Sequence, residues 1–150
     1  MAHDARLVAD CLLDMACRKG QSLSIVKLLR IIFISHGWTL ALLGRPLVQN
    51  AIEAWDHGPV ITDVYAAYRS QGTYTLRPDG RDTSALAMDE RSILDQTLTI
   101  YGTMDDAHLS DLVRKSGSPW DLSRQAGGRS AHIPDALIDC CYRETLRKSR

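Results

Sequence analysis

The stretch from Ile25 to Leu43 constrains this chain more than any other segment. Its apolar residues (Ile25, Val26, Leu28, Leu29, Ile31, Ile32, Phe33, Ile34, Trp38, Leu40, Leu42 and Leu43) fall on nearly every side of a helix. A helix apolar all round has to be enclosed by other elements or by lipid. Arg30, His36 and Gly37 interrupt the run, so it reads as the central helix of a soluble core and not as a membrane span. The expected architecture is therefore mainly all-α, a compact bundle of about six helices packed around that centre.

The flanking punctuation supports this layout. Asp4 can cap a first helix carrying Leu7, Val8, Cys11, Leu12, Met15 and Ala16 on one face, with Gly20 ending it. Ser22 or Ser24 caps the central helix, which Gly44 and Pro46 close. Arg45 to His57 reads as an irregular or briefly extended connector. Gly58-Pro59 is expected to open a third helix with proline at its first position, with Ile61, Val64, Tyr65 and Tyr68 facing inward. Thr73 to Arg77 alternates as a short strand would, and Pro78-Asp79-Gly80 is a turn sequence, so a minor hairpin is expected there. Arg81 to Ala87 reads as a mobile polar loop. Asp89 caps a fourth helix, Thr103 with Asp106 fits a capping box for a fifth, and Ser118-Pro119-Trp120 begins a short helical turn. Ile133-Pro134 starts the last helix. No repeat or linker divides the chain, so residues 1–150 are expected to form one domain.

Composition bounds the function. Lys plus Arg equals Asp plus Glu, 18 against 18. Proteins that bind the phosphate backbone usually carry a basic excess, so nucleic acid is not an expected partner. The first helix pair also leads into the most apolar helix of the chain, which leaves no basic recognition helix. Cys11, Cys17, Cys140 and Cys141 form no CxxC pair, and no secretory leader opens the chain, so a reducing, cytoplasmic location is expected, with no membrane partner.

The chemistry-bearing residues assemble no obvious centre. Structural zinc needs tightly spaced paired ligands, which the five histidines and four cysteines lack, so no metal and no cofactor is expected. Cys11 and Cys141 read as small apolar core groups. Ser35-His36 lies inside the apolar helix with its side chains about 100° apart around the axis. It reads as a satisfied polar pair bonded back to backbone carbonyls. No catalytic residue is assigned, and the chain is read as a non-enzyme. Trp55 beside Gly58-Pro59 has two readings that the sequence leaves open: a staple over a helix start, or an aromatic anchor for a partner. Lys27 reads as a charge whose stem lies along the core helix.

Several blocks resemble a known family. Lys27-Leu28-Leu29, Ile32, His36-Gly37-Trp38, Leu40 and Gly44-Arg45-Pro46-Leu47 resemble the opening of the Panacea domain family, which takes in SocA-like antitoxins and GepA-like phage-associated proteins. Ile52-Glu53-Ala54-Trp55, Gly58-Pro59-Val60 and Tyr65 are similar to its most distinctive block. Tyr101-Gly102, Leu109-Ser110-Asp111-Leu112, Ser118-Pro119-Trp120 and Ile133-Pro134 follow in the family's order. The chain departs at Leu112-Val113-Arg114, where many members carry a Thr-His pair.

The resemblance implies a small helical antitoxin that neutralises a cognate toxin by direct protein–protein binding. One branch acts as a proteolytic adaptor, which brings the ClpXP protease in as a second implied partner. Lys27, Trp38, Trp55, Gly58, Pro59, Val60, Tyr65 and Trp120 are then family-motif residues with structural roles. The surface at the third helix and its start (Trp55, Asp56, His57, Asp63 and Arg69) is the expected partner-binding face. Two alternatives stay open: a mobile-element regulator or inhibitor of a host complex, and a cysteine or serine hydrolase. A homo-oligomer is compatible with either.

Overall fold

A computed structural model describes residues 2–72 and 75–149. Helix α1 (Ala5–Arg18) is capped by Asp4, whose side chain accepts from the Arg6 N–H. Helix α2 (Ile25–Leu43) is capped by Ser24 and ends at Gly44, which takes the left-handed conformation. Two short strands follow, β1 (Ile52–Trp55) and β2 (Gly58–Ile61), then α3 (Thr62–Tyr68) with a single 3₁₀ turn over Arg69–Gln71. Beyond a long connection lie α4 (Met88–Tyr101), α5 (Asp106–Val113), α6 (Pro119–Gly127), the two-residue strand β3 (Ala131–His132) and α7 (Asp135–Lys148).

The mainly helical class and the wrapped central helix hold. Leu28, Ile31, Ile32, Phe33 and Ile34 are all buried, and α1, α4, α5, α7 and the hairpin pack around α2. Helix α2 is long and apolar enough to cross a membrane, with mean hydropathy 1.5, but 78% of that stretch is buried under its neighbours. The described residues contain seven α-helices, one more than the punctuation suggests.

The hairpin lies elsewhere than expected. Gly58-Pro59 does not open α3; it starts β2, which pairs antiparallel with β1 from Ile52 opposite Ile61 to Trp55 opposite Gly58. The sheet order β2-β1-β3 puts Pro59 on an edge strand, where its missing N–H breaks no ladder bond. Proline also pushes the residue before it into extended backbone, and β-branched Val60 and Ile61 continue the strand. All four residues of β2 are buried, hence the helix-like apolar run. The predicted strand from Thr73 begins outside the described residues, and Thr75 to Arg77 are not strand.

Three smaller expectations also change. Helix α4 begins at Met88, so Asp89 lies in its first turn; the Ala87 N–H instead donates to Glu90. Helix α5 is capped by Asp105, which accepts from the His108 N–H at 2.7 Å, and not by Thr103. The loop from Arg81 to Ala87 is tethered at both ends. Buried Asp10 accepts from the backbone N–H of Asp79 and Arg81, at 3.0 and 2.8 Å, and the Arg91 guanidinium donates to the carbonyls of Thr83 and Leu86.

Candidate protein-binding surface

The hairpin and α3 form a corner at one side of α2, and its rigidity starts inside the core. Arg30, on α2, is only 2% exposed, and no carboxylate pairs with it among the described residues. Its guanidinium donates instead to the carbonyls of Pro59 (2.7 Å) and His57 (2.9 Å), gripping the turn on both sides of Gly58. Burial pulls its pKa down to about 10, with the nearby Arg114 charge adding to the shift. Gly58 has φ +145°, and a Cβ there would sit 2.7 Å from Arg30 Cζ. Any side chain there would have to push the buried guanidinium aside, in a backbone conformation that favours glycine.

Helix α6 holds the same turn from outside. Trp120 Nε1 donates to the Trp55 carbonyl at 2.7 Å, and Arg124 donates to the Ala54 carbonyl at 2.8 Å while lying 5.0 Å over the Trp120 ring. Strand β3 completes the frame, with Ala131 opposite Ala54.

On this frame Trp55 and Tyr65 stand side by side, edge to face, with ring centroids 5.4 Å apart. Both are half-buried, and Trp55 Nε1 donates to Glu53 at 2.8 Å. Trp55 therefore packs across the hairpin onto the side of α3 and does not staple a helix start. Asp56 is exposed at the turn, where it accepts from Arg124 at 3.0 Å and from Arg129. The Arg129 and Arg124 guanidinium groups hold its carboxyl down at about 2. His57 is exposed with its carbonyl on Arg30. Asp63 accepts from Asn50 at 2.7 Å, and Arg69 is exposed. Asp56 and His57 thus lie at the turn beside Trp55, Asp63 is in the first turn of α3, and Arg69 opens the 3₁₀ turn at its far end.

The other motif residues sit in the body of the fold. Lys27 donates to the Gly102 carbonyl at the C-terminal end of α4 (3.1 Å), a favourable place for a cation. Trp38 meets the Tyr142 ring edge-on at 5.0 Å, and Val60 is in the core.

The polar core differs from expectation at Ser35 and His36. His36 is fully buried but bonds across the fold and not back to its own helix. Its Nε2 lies 2.8 Å from Asp135, and its Nδ1 accepts from the N–H groups of Leu47 and Val48, both at 3.3 Å. With both ring nitrogens engaged, His36 has no free position for a nucleophile, and the buried Ser35 hydroxyl has no hydrogen-bond partner. His3 lies against buried Glu90, and Cys141, expected in the core, is only partly buried. Among the described residues no three His, Cys, Asp or Glu side chains are grouped to hold a metal ion.

Arg30, Arg124 and Arg129 are the residues that sequence reasoning passed over. Arg30 had a signal, as the one charge within the apolar run from Leu28 to Leu43. Arg124 and Arg129 had none, because their partners lie some seventy positions earlier in the chain.

Comparison with known proteins places the chain in a family. The family profile described as antitoxin SocA-like, Panacea domain, matches residues 28–121, from the second turn of α2 to the start of α6. Antitoxin SocA of Caulobacter vibrioides (strain NA1000 / CB15N) is 27% identical over 155 aligned positions, covering 96% of this chain and 82% of the relative. No solved structure matches significantly. With its profile match running through α2, the hairpin and the Ser118-Pro119-Trp120 clasp, the chain belongs to the antitoxin SocA-like, Panacea domain family.

Proposed function

We propose that this chain is an antitoxin that neutralises a partner toxin by direct contact, with all 150 residues acting as one domain. The observation that carries this reading is the partly buried Trp55–Tyr65 pair, on a corner locked by Arg30 from beneath and by α6 from the side. Aromatic anchors held rigid in the free protein lose little entropy on binding, which is where interfaces concentrate their energy. His57, Asp63 and Arg69, all exposed on the turn, α3 and the 3₁₀ turn after it, are the polar groups this reading assigns to the partner. Asp56, already shared by two arginines, orients Arg124 and Arg129 toward the partner. A standard interface needs about 800 Å² from each side, within reach of a domain this size. The relative's name carries the word antitoxin, and the finer version of the reading adds delivery of the bound toxin to the ClpXP protease.

Co-expression with the neighbouring open reading frames tests this. One of them should arrest growth alone and be harmless beside this chain, and Trp55→Ala with Arg69→Glu should abolish protection while the variant stays folded. If no neighbouring product is toxic, or if those variants protect fully, the antitoxin reading or its assignment to this corner fails. Rescue that disappears in cells lacking ClpX marks delivery; rescue that persists marks neutralisation by occlusion.

A further inference from the structure

A second surface, apart from the hairpin corner, is apolar and uncovered. It is a trough between the outer edges of α2, α4 and α7, extended by the α5–α6 connection. Its larger part is a cavity of about 660 Å³ whose walls include Phe33, Leu112 and Tyr142. Its smaller part is a groove of about 260 Å³ where Leu42, Ile93, Ile100 and Leu146 stand. Trp38 and Tyr101 line both parts, so the two lie side by side on one face. Leu42 is 53% and Ile100 58% exposed, and large apolar side chains gathered on one face mark a binding surface more often than a free one.

The charges around it are unbalanced. The smaller groove has no charged lining residue, and the larger has Lys115, Glu144 and Lys148. Glu144 is paired with Arg147, Asp139 with Arg143 and Asp111 with Arg114, at 3.5, 2.6 and 2.7 Å. Lys115 and Lys148 have no ion-pair partner among the described residues. The rim therefore offers two ammonium groups against one carboxylate, Glu144, which Arg147 already engages.

We propose that this trough docks an amphipathic helix of the partner protein, with its apolar stripe on Trp38, Tyr101 and Ile100 and its carboxylates on Lys115 and Lys148. A groove between helices takes a helix in this way, through side chains one turn apart. A second copy of this chain fits less well, because a two-fold contact on the same face would set four lysines against two glutamates, each already engaged by Arg147. The trough also borders the hairpin corner: Ser118 and Pro119 edge the cavity, while Trp120 and Arg124 of the same helix clasp the turn. A toxin reaching the corner over α6 also reaches the trough. The inference rests on the reading that the partner is a protein.

The test uses two fluorescent helical peptides with the same leucine and phenylalanine stripe, one flanked by glutamates and one by lysines. Each is titrated by anisotropy against the full chain and against its Lys115→Glu/Lys148→Glu and Ile100→Asp variants. The glutamate peptide should bind saturably and lose about fivefold or more in affinity in either variant. The lysine peptide should bind better to the charge-reversed chain than to the original. Equal affinity for both peptides, no saturable binding, or indifference to the variants overturns the proposal. A dimer in sedimentation that Ile100→Asp abolishes also overturns it, by giving the trough to a second copy. A chain that binds the glutamate peptide but protects against no toxin would sink the antitoxin reading alone; the reverse would sink the trough alone.

Discussion

His36 Nε2 lies 2.8 Å from Oδ1 of Asp135, the first residue of α7, and this contact joins the middle of the buried helix to the start of the last one. Because Nδ1 accepts from two backbone N–H groups, the ring proton sits on Nε2 and is donated to the carboxylate. Asp135→Ala removes only the acceptor and should cost about 1–2 kcal/mol. His36→Ala also leaves the Leu47 and Val48 N–H groups unpaired beside a void, and should cost about 3 kcal/mol or more. Urea unfolding of both variants checks the order; a milder effect at His36 would mean that the two amides find other partners.

Acid should weaken the fold only below the ordinary carboxylate range. The His36 hydrogen bond holds the Asp135 carboxyl below its usual value against partial burial. For Glu90, burial pushes upward, but the Ala87 N–H, His3 and Arg45 together win and lower it. A carboxyl whose folded pKa is depressed stabilises the fold above its unfolded pKa of about 4 and loses that contribution as pH falls through the folded value. Urea midpoints should therefore be flat in this respect from pH 7 down to about 5 and fall below about 4, with a shallower fall in Asp135→Asn. A decline already complete at pH 5 would assign the acid sensitivity to another group.

Gly58 and Gly44 separate two reasons for a glycine. Both have positive φ, +145° and +71°, but only at Gly58 would a Cβ collide, with Arg30. Gly44→Ala should cost about 1 kcal/mol, the backbone penalty alone. Gly58→Ala should cost about 3 kcal/mol, because the buried guanidinium must release the His57 and Pro59 carbonyls or be displaced. Arg30→Lys should destabilise by about 2 kcal/mol, since one ammonium cannot reproduce the two-pronged grip. Thermal denaturation ranks the three; equal losses at the two glycines would contradict the threaded turn.

Gly37 is where α7 seats on α2. A Cβ there would lie 2.5 Å from the Tyr142 ring, which also meets Phe33 and Trp38 edge-on at centroid distances of 6.4 and 5.0 Å. Gly37→Ala should lift α7, lower the melting temperature and speed proteolysis within residues 135–148. Pairing it with Tyr142→Leu should recover part of the loss, because the smaller side chain frees the space. No recovery would place the clash elsewhere.

The sequence by itself determined the class of fold, because a helix apolar on every side has no stable state except enclosure, and the Asp4 cap and the choice between Ser22 and Ser24 needed only neighbours a few residues away. It also carried the family blocks from Lys27 to Trp120, since those are local strings. The hairpin was misplaced because β2, buried on both faces, has no alternation to distinguish it from a helix start. Only its pairing with β1 and the edge position of Pro59 decide the matter. The tertiary structure alone decided that Arg30 grips the turn, that His36 reaches Asp135 ninety-nine positions away, and that Arg124 and Arg129 close on Asp56. Such contacts depend on where distant segments come to rest against a common core, and a pattern read over one or two helical turns contains no record of that.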